Sequence, residues 1–216
     1  MITKHIHIDF IDDVLGTAPG DPDIHGSYVS SKAPDAATKE EEIAAIGEDE
    51  FRAKGKTIFP TDENGNPIFW NYQIKGFFKS ACAAQRGLSG SKSSKVKAYK
   101  KKIDLGVFVF PDADDPSSRA IKIHMTNSGI GECQRPLRAE TMQGPRVAIA
   151  DSDSIEKGSW IEFDIVMLDD GDWPLVSEWL DYGKFNGLGQ WRNSGKGAFV
   201  WHEISRKPIN HKSIFK

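Results

Sequence analysis

Apolar and polar residues alternate at the start of the chain, with Ile6, Ile8 and Phe10 on one side and His5, His7 and Asp9 on the other, a period of two that predicts a half-buried strand. The same period returns at 160–168 and at 120–125, and apolar runs at 103–111 and 198–204 predict two more strands. Helical spacing replaces it at Ile74, Phe77, Phe78, Ala81, Cys82 and Ala84, giving a helix over 74–86 that Gly87 stops, and again at Leu175, Val176, Trp179 and Leu180. Residues 63–67, Glu-Asn-Gly-Asn-Pro, are a turn signal between short extended pieces. Residues 33–51 read as one or two short helices with acidic first turns, and 134–150 as an extended but irregular segment carrying Arg135, Arg138 and Arg146. The skeleton is β-α-β-β-α-β, an α+β chain of ferredoxin-like (RRM-like) type with large insertions, which covers one sheet face with helices and leaves the other open. A single domain over 1–216 is expected, with 17–58 an inserted acidic helical lobe and 87–102 a basic flexible loop.

Composition narrows the setting. With 216 residues and 38% hydrophobic content the chain can bury a core. Its two cysteines, Cys82 and Cys133, make neither a disulfide framework nor a zinc site by themselves. No run approaches the roughly 18 apolar residues of a membrane span, so a soluble, cytoplasmic protein is expected. The net charge of −3 hides a strong asymmetry. Residues 1–65 hold fourteen acidic against six basic residues, residues 72–109 nine basic against the single acid Asp104, and residues 182–216 seven basic against one acidic.

Both basic regions contain glycine-centred stretches, Gln73-Ile-Lys-Gly-Phe-Phe-Lys79 and Gly187-Leu-Gly-Gln-Trp-Arg-Asn-Ser-Gly-Lys-Gly197. Glycine lets a backbone approach a ligand closely, and the adjacent cations make that ligand an anion. Lys75, Gly76, Lys79, Lys92, Lys95, Gly187, Gly189, Arg192 and Lys196 are therefore the candidate contacts to a nucleic-acid backbone, with Lys75 and Gly76 placed at a helix start. Trp70, Tyr72 and Trp191 flank these stretches as candidates for stacking on bases. The competing reading makes Gly187 and Gly189 a plain helix-to-strand turn and the lysines a solvated surface. Ser194-Gly-Lys-Gly197 is not a P-loop, since no Ser or Thr follows Lys196 and a strand stands where a helix is needed. His5, His7, His124 and His202 share a sheet face without metal-ligand spacing, so no metal and no cofactor is expected.

These residues resemble the RAMP superfamily of CRISPR-associated RNA-binding proteins, in particular its Cas7-like backbone subunits. Three places carry the resemblance. The turn at 62–67 leads into Tyr72–Lys79, the glycine loop at 187–197 carries Arg192, and Arg138-Ala-Glu140 is followed by Gly158 and the strand from Trp160. The family's Gly-Ser pair before the helix is replaced here by Tyr72 and Gln73. The resemblance implies non-catalytic binding of single-stranded RNA (or single-stranded DNA), a homo-oligomer or filament along the nucleic acid, and association with other CRISPR subunits. It also leaves two alternatives: a phage-encoded relative that coats single-stranded DNA or mimics or inhibits a CRISPR complex, and a metal-dependent endoribonuclease using a histidine or Asp21 or Asp23, where some members carry a cutting aspartate.

Overall fold

The computed structural model describes residues 1–20, 55–115, 117–127, 129–141 and 144–205, with backbone alone for 137–141 and 144–148. Asp21, Asp23, the helices expected over 33–51 and the side chains of Arg138, Glu140 and Arg146 lie outside the described residues. The chain is α+β, with two sheets and three α-helices among the described residues.

In chain order the elements are β1 (Ile2–Phe10), β2 (Val14–Leu15), β3 (Ala18–Pro19), β4 (Thr57–Ile58), β5 (Ile68–Trp70), α1 (Asn71–Gln85), α2 (Tyr99–Gly106), β6 (Val107–Phe110), β7 (Ala120–His124), β8 (Gly131–Thr141), β9 (Gly144–Ile155), β10 (Trp160–Met167), α3 (Trp173–Asp181) and β11 (Phe199–Glu203). The larger sheet runs β11-β1-β10-β7-β5, with β6 also paired to β10, and every pair in it is antiparallel. Because side chains alternate across a strand, Ile6, Ile8 and Phe10 of β1 and Ile161, Phe163 and Ile165 of β10 reach the same covered face. There they join Ile74, Phe77, Phe78, Ala81 and Cys82 of α1 and Leu175, Val176, Trp179 and Leu180 of α3 in one buried cluster. No described helix is long and apolar enough to cross a membrane.

The opposite face carries the polar half of the same alternation. His7 lies opposite His202 and Trp160 opposite His124, and the rings stack in a row, with centroids 4.7 Å apart for His202–His7, 5.0 Å for His7–Trp160 and 3.7 Å for Trp160–His124. His7 bonds from Nδ1 to Glu162 Oε1 at 2.9 Å and from Nε2 to Asp9 Oδ1 at 3.1 Å. Burial opposes charge on His7, yet these two carboxylates outweigh it and hold its pKa above the ordinary histidine value.

The smaller sheet is built on a long hairpin. β8 and β9 pair in continuous register from Gly131↔Ser154 to Thr141↔Gly144, and β9 also pairs with β2 and, through Thr57↔Ser152, with β4. This corrects the irregular segment expected over 134–150, where Arg135, Pro136 and Arg138 interrupt the apolar alternation that marks a half-buried strand. The strand expected from Ile103 is also revised, because 99–106 is helical. Ile103 is fully buried, Asp104 binds Lys79 at 2.6 Å and Lys102 binds Asp172 at 2.7 Å, so tertiary partners override a pattern that reads as extended. Within 87–102 the chain makes a 3-10 turn over Lys92–Lys95 that is docked on α3. Glu178 accepts bonds from the Lys92 and Ser93 backbone N–H groups at 2.6 and 2.9 Å, and Trp179 Nε1 donates to Ser93 Oγ at 3.0 Å.

Candidate nucleic-acid interface

Residues 187–197 form a loop sewn to the β1–β2 turn. Leu188 N–H donates to Gly197 O at 3.0 Å, Gly197 N–H to Asp13 O at 2.7 Å, and Gln190 N–H to Leu15 O at 3.4 Å. Close approach requires glycine at several positions here, Gly187 and Gly189 among them. A Cβ on Gly187 would sit 1.6 Å from Gly197 O, and one on Gly189, whose φ is +86°, would sit 2.7 Å from Leu15 O. Lys196 completes the seam with ion pairs to Asp12 and Asp13, both at 2.9 Å. Burial disfavours its charge, but Asp13 and Asp12 outweigh that and raise its pKa above the usual lysine value. Lys196 therefore ties the loop to the β1–β2 turn.

The first glycine stretch meets this loop across the fold. α1 begins at Asn71, three residues before the expected start, because Gln73 caps it: Trp70 N–H donates to Gln73 Oε1 at 2.7 Å, and Gln73 Nε2 donates onward to Thr17 Oγ1 at 2.6 Å. Lys75 and Gly76 consequently lie beyond the first turn, where backbone N–H groups are spent inside the helix. Gly76 shares a helix face with Gln73 and Ser80, and these three, with Thr17, Gly189 and Arg192, line a groove of about 330 Å³ over Phe77 and Leu188. Gly76, Gly189 and Arg192 are thus brought together from segments more than a hundred residues apart in sequence. Arg192 lines the groove and makes no ion pair among the described residues.

The remaining candidates fall elsewhere. Lys75 turns to the α2 side of α1, donating to Asp104 O at 3.1 Å and lying 5.2 Å from the Phe108 ring centroid. Burial pushes its pKa down, with Lys79 adding to the effect and Asp104 opposing it. Lys79 pairs with the Asp104 carboxylate. In sequence Lys75 has no acid nearby, and the fold supplies one from twenty-nine residues away. Lys92 and Lys95, with Lys97 and Lys102, rim a separate cavity of about 420 Å³ beside Pro174 and Leu175, and Lys92 Nζ donates to Pro174 O at 3.1 Å. Thr17 and Ser80 were missed by sequence reasoning. Ser80 was legible as the position four residues after Gly76 on one helix face, whereas nothing local marks Thr17.

No model of a known protein family matches the chain, and no curated protein matches it by sequence. Among solved structures it is similar to a chain in the cryo-EM structure of the Type III-B Cmr-beta bound to cognate target RNA, at 11% identity and a TM-score of 0.44, covering 94% of this chain and 60% of that one. It is also similar to a chain of a Type IV-B CRISPR complex, at 6% identity and a TM-score of 0.47, covering 99% of this chain and 96% of that one.

Proposed function

We propose that the chain is a non-catalytic binder of single-stranded nucleic acid, RNA in preference to DNA, working as a Cas7-like backbone subunit of the RAMP superfamily in the cytoplasm. The observation that carries this reading is the meeting of Gly76 and Gly189 in one groove with Arg192, which joins a helix position with open space where a Cβ would stand to a cation with no ion pair among the described residues. Gln73, Thr17 and Ser80 add neutral hydrogen-bonding groups suited to sugar and phosphate oxygens. The antiparallel order β11-β1-β10 followed by β6, with α1 and α3 on one face, supports a ferredoxin-like core for this single domain. Lys92 and Lys95 extend the basic surface, while Lys75, Lys79 and Lys196 support the fold that shapes the groove. Copies arranged along one strand, with further CRISPR subunits, are the expected assembly.

Binding of a uridine-rich RNA should weaken steeply with salt, and Arg192→Glu should reduce it by about tenfold or more while the folded spectrum and melting temperature stay unchanged. Undiminished binding by this variant would remove the groove from the interface.

A further inference from the structure

Trp191 occupies a backbone state that a bulky aromatic rarely takes. Its φ and ψ are 55° and 34°, and among the described residues only Ala98 shares a positive φ without being glycine. Gly189 and Gly195, close on either side, adopt positive φ without penalty, so a tryptophan here is kept at a cost in backbone strain. The conformation is held locally: Trp191 O accepts bonds from Ser194 N–H at 3.1 Å and Ser194 Oγ at 2.9 Å. What the strain achieves is presentation, since the residue is 39% exposed and its neighbour Arg192 lines the groove.

The ring is also propped. Arg135 is 8% exposed, and its guanidinium carbon lies 5.5 Å from the indole centroid. Arg135 cannot swing freely, because Nη1 donates to Ser152 Oγ at 3.2 Å and Nη2 to Gln190 Oε1 at 2.7 Å. A cation fixed in this way orients the indole, and Trp191 stays 39% exposed.

We propose that Trp191 is a base-stacking residue, its exposed indole surface taking a nucleobase of the strand whose backbone lies in the Gly76–Gly189–Arg192 groove, with Arg135 as its positioning residue. The inference rests on the nucleic-acid reading above and adds to it a contact with bases. Stacking uses the π-face common to all bases, so the contact favours base-bearing over abasic strands without selecting a sequence.

The test compares full-length wild type, Trp191→Phe, Trp191→Ala, Trp191→Gly and Arg135→Gln for binding to a ten-nucleotide oligouridylate and to an abasic strand of equal length. Trp191→Ala and Trp191→Gly are expected to bind oligouridylate about tenfold more weakly, with abasic binding unchanged. Trp191→Phe should retain most of the affinity, and Arg135→Gln should lose part of the preference for bases. Trp191→Gly should melt no lower than Trp191→Ala, because glycine relieves the positive φ. Equal losses on both strands would make Trp191 a structural residue and overturn the proposal, as would unchanged oligouridylate binding by Trp191→Ala. Wild type that binds neither strand would instead overturn the nucleic-acid reading on which it stands.

Discussion

Gly76 lies in the interior of α1, and a Cβ built there meets nothing within 4 Å. The fold does not require glycine at this position, and a helix interior disfavours it by about 1 kcal/mol relative to alanine. Gly76→Ala should therefore raise the melting temperature by a few degrees in a calorimetric scan while weakening RNA binding, the signature of a residue retained for its ligand. Gly197 is the opposite case: its φ is +70°, and a Cβ would lie 1.7 Å from Leu188 O. Gly197→Ala should cost about 3 kcal/mol or more, read as a collapsed unfolding midpoint in urea. In sequence these two glycines look alike, since each sits beside a lysine. Only the three-dimensional neighbours separate them, as they separate Arg192, open to the groove, from Lys196, consumed by Asp12 and Asp13.

Elements whose faces are sorted by water were legible in the sequence, and elements fixed by distant partners were not. β1, β10, α1 and α3 each bury one face in the common core, so period two or period 3.6 marked them. α2 holds its place through Ile103 and the Asp104 and Lys102 ion pairs, and β8–β9 through backbone register, neither of which leaves a clear periodic trace. The stacked row on the open sheet face gives an element-scale expectation about pH. The folded pKa of His7 is raised above 6.5, so its contribution to stability is fully present below that value and fades as pH rises through the folded pKa. The melting-temperature gap between wild type and His7→Gln should be widest near about pH 5.5 and close in alkaline buffer. A gap independent of pH would mean that ring packing, not the carboxylate pair, supplies the stabilisation.

At the scale of the whole molecule, the α+β class followed from hydrophobic pattern, while α2, the β8–β9 hairpin and the groove did not. A sequence can show two basic glycine stretches. It cannot show that Lys75 turns to Asp104 and Phe108 while Gly76, the next residue, lines the groove with Arg192. If copies line a nucleic-acid strand, the species seen by size-exclusion chromatography with two-wavelength absorbance should grow with the length of added RNA and return to a single smaller species after nuclease treatment.

The β8–β9 hairpin extends over eleven paired positions, roughly 35 Å of strand. At its base β9 grips β2, whose Leu15 carbonyl accepts from Gln190, and Arg135 ties β8 to the same glutamine. Mechanically, Gln190 couples the base of the hairpin to the glycine loop, with its backbone on Leu15 of β2 and its side chain on Arg135 of β8. Restraint of the hairpin is thereby passed to the seat of Gly189 and Trp191 through Gln190 and Arg135. If the groove binds a nucleic-acid strand as proposed, restraint of the hairpin should tighten that grip, and the chain alone should bind more weakly than the same chain with its hairpin held.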